Sequence, residues 1–306
     1  WLQLDQNKRA LSSDSYKIQT SSFNSIDAQS LKNASNYLNT QGDYNASLDI
    51  DDKVDTIRYL DTRSIQNLNP TFDGGFNITS VTNSDDSNLS HTIHQTMMRI
   101  NLDKPLNPNE SFTLKINWWY NINNRLEIGG RSGYEYFKKD DNYAYFIAQF
   151  FPRMAVYNDV EGWQNQQFWG NGEFALPFGD YDVKITVPDD HIVAPTGVLE
   201  NRKAVYTSTM MKRFREAKKS YDDPVFIVTQ DEAEANEKST PIGFKTWHFT
   251  AKNVRDFAFA SSRKFIVDMM NVDVNGNDVM AVSVYPKEGN PLWERWSTKT
   301  VASALK

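Results

Sequence analysis

The chain has 306 residues, 39% of them hydrophobic, enough for one large domain or one domain with part of another around a sizeable core. Its 33 basic and 39 acidic residues leave a net charge of -6, so the long-range field draws in neither nucleic acid nor an anionic membrane, and no nucleic-acid partner is expected. With no cysteine, a disulfide, a thiolate nucleophile and a Cys-type zinc site are excluded, and no run nears the roughly 18 apolar residues of a membrane-spanning helix.

The opening WLQLDQ reads as a strand already under way, without an initiator Met or a leader, so the chain is expected to be cut at its amino end. Up to about Asn88 it is rich in Asn, Ser and Asp, with short alternations such as Thr56, Arg58 and Leu60 against Ile57 and Tyr59. The acidic run DIDDKVD, Asp49 to Asp55, lacks the glycine and glutamate of a calcium-binding loop and reads as solvated surface. From Thr96 the pattern sharpens. Met98, Ile100 and Leu102 alternate with Met97, Arg99 and Asn101, and the turn-rich DKPLNPNES leads into FTLKINWWYNI, which together predict a hairpin. In that second run Phe112, Leu114, Ile116, Trp118, Tyr120 and Ile122 share one face, and Thr113, Lys115, Asn117, Trp119 and Asn121 the other. Period-2 runs recur at Tyr143 to Phe151, Tyr181 to Val187, Pro224 to Thr229 and Thr246 to Ala260. The prediction is a mainly β domain, an antiparallel sandwich or open barrel.

One helix interrupts the strands at Ser208 to Ser220, STMMKRFREAKKS, whose Lys212, Arg213, Arg215, Lys218 and Lys219 form a solvated face or an anion site. Beyond Met270, Asn275 and Gly276 sit between VDV and NDVMAVSVYP as a hairpin turn. Asn290 is then placed to cap a helix that opens on Pro291, with Leu292, Trp293, Trp296, Thr300 and Ala304 as its apolar stripe. That helix reaches Lys306 with no stop signal, so a cut is expected at this end too.

Chemistry is sparse. His91 and His94 lie three apart in NLSHTIHQT, where the metal reading competes with exposed loop histidines, and no His-Glu-x-x-His occurs. GGRSG, Gly129 to Gly133, is neither a phosphate-binding loop nor a nucleophile elbow and reads as a tight turn. Asp159, Glu161 and Glu173 stand among Trp163, Phe168, Trp169 and Phe174, an array that suits glycoside hydrolysis or sugar binding as well as ordinary core. The whole stretch YFIAQFFPRMAVYNDVEGWQ, Tyr145 to Gln164, reads best as the wall of a core.

Several long blocks in order, TMMRINLDKPLNPNESFTLKINWWYNINNR, IGGRSGYEYF, DDNYAYFIAQFFPRMAVYNDVEGWQNQQFWGNGEFALPFGDYDVKITVPDDHIV, NVRDFAFASSRKFIVDMM and VYPKEGNPLWERWSTKTVASALK, resemble bacterial M1 zinc aminopeptidases (gluzincins), particularly Bacteroidetes-like forms. The likeness covers about Thr96 to Lys306. It implies an amino-terminal saddle-shaped β-sandwich over residues 1–270, and over 271–306 the first hairpin and helix of a thermolysin-like α+β catalytic domain. On this likeness the zinc of the intact protein would be held by residues beyond Lys306, leaving no catalytic residue and no metal ligand in this chain. The partners it implies are a peptide substrate and the catalytic domain of the same polypeptide, in an extracytoplasmic setting. M1 enzymes carry a Thr-Gln or Ser-Gln strand whose Gln reaches the substrate amino end. Ala148 and Gln149 match it, which makes Gln149 the substrate-binding residue, while Phe151 departs from the Glu or Gln of the pattern. A Gln149 on one strand face with Tyr145, Ile147 and Phe151 would need partners if buried, so a structural Gln bonded to backbone is the other reading. Outside the resemblance stands a noncatalytic binding module for glycan or protein.

Overall fold

The computed structural model describes residues 2–3, 72–94, 96–128, 132–165 and 175–306. These fall into two units, Trp1–Ser132 with Gln149–Pro177 and Gly133–Ala148 with Phe178–Lys306. Both are mainly β, in antiparallel sheets of two to four strands, as the period-2 runs predict.

The first unit holds β1 (Leu2–Gln3), β2 (Asn77–Thr82), β3 (His91–His94), β4 (Met97–Ile100), β5 (Lys115–Trp119) and the one-turn helix α1 (Arg125–Ile128). Strands β6 (Gly133–Phe137) and β7 (Asn142–Ile147) belong to the second unit, and the chain returns to the first with β8 (Arg153–Met154), β9 (Tyr157–Asn158) and β10 (Gly162–Trp163). One sheet has the order β3-β4-β1-β8, and β2 pairs with β5. Buried Leu2, Val81, Leu89 and Met98 form the core, with Ile78, Leu114 and Ile116 packed on it.

Strand β5 shows the predicted alternation, with Ile116 and Trp118 half-buried and Lys115, Asn117 and Trp119 exposed. The hairpin predicted across DKPLNPNES does not form. β4 instead folds back on β3, His94 opposite Met97, while β5 pairs in a different sheet with β2. Pro105 and Pro108 each remove a backbone donor from the segment between them, which carries no strand.

The second unit continues with β11 (Gly179–Pro188), β12 (Ile192–Pro195), β13 (Val198–Leu199), α2 (Arg202–Val205), α3 (Ser208–Ala217), β14 (Val225–Val228), α4 (Gln230–Glu237), β15 (Phe244–Val254), β16 (Phe259–Ser262), β17 (Ile266–Val274) and β18 (Asn277–Tyr285). A 3-10 turn at Lys287–Gly289 leads to α5 (Leu292–Leu305). The sheets are β11-β15-β13, β12-β16-β7-β6 and β14-β17-β18. Central strand β17 is buried over seven consecutive residues, Ile266 to Val272, and runs through position 270 unbroken. Trp247 and Phe249 stack at 10° and 6.2 Å in the core, and Phe257 and Phe265 are buried as well.

Local signals set the boundaries. The single run expected from Thr246 to Ala260 divides after Val254: Asn253, at a φ of 54°, lies in the irregularity where β15 shifts register against β11, and β16 begins only at Phe259. Thr207 caps α3 by accepting from Met210 N at 3.2 Å. Asn275 and Gly276, at φ 53° and 82°, make the predicted two-residue turn between β17 and β18. Gly197, at φ 86°, lets the β12–β13 connection lie on β15, where a Cβ would overlap the Thr250 carbonyl.

Helix α5 is inverted relative to expectation. It seats through buried Thr298 and Ala302, and Ser297 shares a 2.9 Å hydrogen bond with Ser283 of β18. The predicted stripe faces solvent: Leu292 is 63% exposed, Trp293 46% and Trp296 50%, and Thr300 and Ala304 are exposed too. Small side chains let the helix approach the sheet closely, which the larger ones would prevent. Pro291 precedes the first helical turn, and Asn290 Oδ1 accepts from Glu294 N at 3.2 Å.

Candidate functional site

Strand β7 ends at Ile147, and two residues later Gln149 adopts a φ of 54°. The predicted face shared by Tyr145, Ile147, Gln149 and Phe151 is therefore not formed. The other non-glycine residues of positive φ among the described residues are Asp86, Asn109, Asp141, Asn253 and Asn275, all of types whose short polar side chains tolerate the left-handed region. Gln149 alone lacks that excuse. Just after it, Trp118 Nε1 donates to the Phe150 carbonyl at 2.8 Å, and Phe150 meets Phe151 edge-on at 5.1 Å. This anchor on β5 holds the peptide that follows, while the half-exposed Gln149 side chain makes no hydrogen bond within the described residues.

Asp159 and Glu161 lie in the tight β9–β10 turn. Asn158 Oδ1 accepts from Val160 N at 3.1 Å and Glu161 N at 2.8 Å, Gly162 takes a φ of 69°, and Tyr157 packs edge-on against Trp163 at 5.3 Å. Both carboxylates are exposed, and no hydrogen bond or ion pair among the described residues positions either. The reading of Tyr145 to Gln164 as a core wall is corrected at this end: Ile147 is buried, but Tyr157 is 67% exposed and Val160 85%. Glu173, Phe168, Trp169 and Phe174, the acidic run Asp49 to Asp55 and most of GGRSG lie outside the described residues.

The histidines do not converge. His91 and His94 stand at the two ends of four-residue β3, three apart, so they point to opposite sheet faces. His91 Nδ1 lies 3.0 Å from the Leu89 carbonyl, and His248 Nε2 is 2.9 Å from Asp182 Oδ1. His191 Nδ1 lies 2.9 Å from Ser261 Oγ, and burial lowers its pKa to about 4, which keeps the ring neutral at pH 7. Ser261 is itself buried, so the pair has no route to a substrate.

One cluster of charge escaped the sequence reading. Asp140 of the β6–β7 turn, Glu237 at the end of α4 and Glu288 of the 3-10 turn surround the fully buried Lys264 ammonium at 2.8, 2.7 and 3.0 Å. Lys287 adds ion pairs to Asp140 at 3.0 Å and to Glu237 at 2.5 Å. The three carboxylates are close enough to hold a metal ion, but Lys264 Nζ already lies between them. Hydrogen bonds from Lys264 and Lys287 hold the Asp140 carboxyl well below the usual range. Burial pulls Lys264 down, but the bonds to Asp140, Glu237 and Glu288 outweigh it and leave its pKa raised. No spacing in the sequence links positions so far apart. The described residues offer no His and carboxylate set that fits zinc.

Comparison with known proteins locates likenesses in structure only. No family profile matches the sequence, and no curated protein matches it. An M1 zinc metallopeptidase from Deinococcus radiodurans is similar at 12% identity and a TM-score of 0.40, over 75% of this chain and 42% of that one. A mutant M1 zinc metallopeptidase from the same organism, bound to a Tyr-Ser-Ala substrate, is similar at 12% identity and a TM-score of 0.40, over 74% and 42%. A two-domain M1 zinc metallopeptidase mutant bound to L-tryptophan follows at 11% identity and a TM-score of 0.39, over 75% and 43%. The chain thus spans under half the length of these structures.

Proposed function

We propose that these residues are the amino-terminal portion of an M1-type zinc aminopeptidase that releases amino-terminal residues from peptides, in an extracytoplasmic compartment. In this reading residues 1–270 form the saddle-shaped amino-terminal domain and 271–306 open the catalytic domain. On this reading the zinc would be held by residues outside these 306, and when bound it would supply Lewis-acid polarisation of the scissile carbonyl and an activated water. The role of this chain is to bind and orient. Gln149 would offer its amide to the substrate amino end, and Phe151, where the family pattern has Glu or Gln, would leave that contact neutral.

What carries the reading is the backbone at Gln149: the residue singled out by the Ala-Gln resemblance is the one described residue that is neither Gly, Asn nor Asp and has positive φ. Expression of the complete reading frame tests it. The full-length protein is expected to cleave aminoacyl anilides, to lose activity to a chelator, and to show a raised KM in Gln149→Ala, while residues 1–306 alone show no hydrolysis. Absence of cleavage by a full-length protein that binds zinc ends the proposal.

A second reading, a noncatalytic module for glycan or protein, draws on the outward Tyr157, Val160 and Trp163 of the β9–β10 turn. Binding of an oligosaccharide or a folded protein that Trp163→Ala abolishes, with no hydrolysis by the full-length protein, would favour it.

A further inference from the structure

Of the five basic residues of the α3 segment, the structure turns one inward. Arg213 Nη1 donates to the Ile227 carbonyl of β14 at 3.2 Å and to Glu232 Oε2 of α4 at 2.6 Å. Lys212, Arg215, Lys218 and Lys219 are exposed. Within this patch the only opposing carboxylate on the same helix is Glu216, 4.0 Å from a Lys212 side chain that is 75% exposed.

Lys212 and Arg215, at i and i+3, share one face of α3, opposite buried Met210 and Ala217, and Lys218 and Lys219 follow in the turn just past its last residue. The apolar face of α3 is already used. Met210 and Ala217 are in the core, and Phe214 lies under the Arg202 guanidinium at 4.2 Å and edge-on to Tyr206 at 6.4 Å. The helix has no apolar stripe left to insert, so what it presents outward is positive charge on long flexible stems.

Such an array of exposed cations without an apolar anchor matches a plane of phosphates better than a protein pocket, where binding energy concentrates in buried aromatic and arginine anchors. The net charge of -6 opposes approach at long range, but at physiological salt fields are screened beyond about 8 Å, so contact is set by the nearest charges, here exposed Lys212, Arg215, Lys218 and Lys219 against Glu216 and, past the turn, Asp222 and Asp223. The geometry points to α3 as a docking surface for an anionic phospholipid membrane, held by charge without insertion. This qualifies the expectation drawn from net charge.

The test is cosedimentation of residues 1–306 with vesicles of phosphatidylcholine containing about 30 mol% phosphatidylglycerol, against phosphatidylcholine alone, at low and high salt. Binding is expected only to the anionic vesicles and is expected to fall steeply with salt. Each basic residue near the surface strengthens partition about fivefold, so K212E/R215E/K219E lowers it by at least about a hundredfold. A control variant, K104E/K138E/K139E, carries the same net charge with α3 intact and retains binding. Thermal unfolding of both variants shows whether they remain folded. Equal binding to both vesicle types, equal loss in the two variants, or binding of soluble polyglutamate without binding of anionic vesicles would overturn the proposal, the last in favour of an acidic protein.

Discussion

Around Lys264 in the second unit every charge has a partner, whereas at Gln149 and in the β9–β10 turn of the first the side chains of Gln149, Tyr157, Asp159, Glu161 and Trp163 are turned at least partly to solvent. Lys264 is 0% exposed and can be ionised there because three carboxylates within 3.0 Å replace its lost hydration. The cluster joins the β6–β7 turn, the end of α4, the β16–β17 turn and the 3-10 turn before α5, so its members hold four connections in register. Gln149 has the reverse economy of contacts: an unfavourable backbone, fixed by Trp118 one residue on, and a side chain with nothing to hold. Polar groups turned inward must be matched to be tolerated, and those turned outward are available for something else.

The largest expected effect breaks the matched side. Lys264→Met removes one cation from a cage that keeps buried Glu237, and should cost about 3–5 kcal/mol in urea unfolding at pH 7. The sign with pH follows from Asp140. Its carboxyl pKa is depressed in the fold, so its contribution is fully present above the ordinary carboxylate value and is lost as pH falls through the depressed one. Wild-type stability should therefore drop on acidification below about pH 4, with a shallower slope in Lys264→Met. A variant as stable as wild type would mean that the ion pairs do not stabilise the fold.

Asp268 sharpens the contrast, since it is as buried as Lys264 but is held by hydroxyls instead of a cation. Tyr285 OH donates to its Oδ2 at 2.6 Å and Thr298 of α5 donates to its Oδ1. Burial raises its pKa despite those bonds, and the Glu294 charge adds to the rise. A raised carboxyl gives stability that is fully present at low pH and lost as pH rises through the raised value, the opposite of Asp140. Asp268→Asn should remove that dependence and cost about 1–3 kcal/mol through the hydroxyl bonds it weakens. Hydrogen exchange in α5 would read the loss, because Thr298 ties that helix to β17.

Much of the fold was written locally. The faces of β5, the Asn275-Gly276 turn and α3 rest on side-chain alternation, a turn dipeptide and helix formers, each readable within ten residues. Helix α4 carries a local signal of another kind: Thr229 and Glu232 form a capping box, with Glu232 N donating to Thr229 Oγ1 at 3.3 Å and Thr229 N to Glu232 Oε2 at 2.9 Å. Its polar sequence hid it, because it offers almost no apolar stripe. Helix α5 shows the opposite failure, where two tryptophans suggested the buried face and Thr298 and Ala302 supplied it. The Lys264 cluster and the backbone of Gln149 were not readable, one because its members are brought together only by tertiary structure, the other because Gln is not a residue type that announces a left-handed turn. Thr229→Ala should cost about 1 kcal/mol in thermal or urea unfolding, which measures what that missed cap contributes.

The smallest change probes the outward side directly. A non-glycine residue in the left-handed region bears roughly 1–2 kcal/mol of steric cost that glycine does not, while glycine gives back about 0.5–1 kcal/mol through the freer unfolded chain. Gln149→Gly is therefore expected to stabilise the chain by up to about 1 kcal/mol, and Gln149→Ala, which keeps the Cβ, to leave it unchanged. Urea unfolding of the pair separates backbone from side chain. If glycine gives no gain over alanine, the backbone at 149 is not strained and the inference from its φ falls. If glycine is more stable and both variants raise KM in the full-length protein, the strain is retained for the contact that the amide makes.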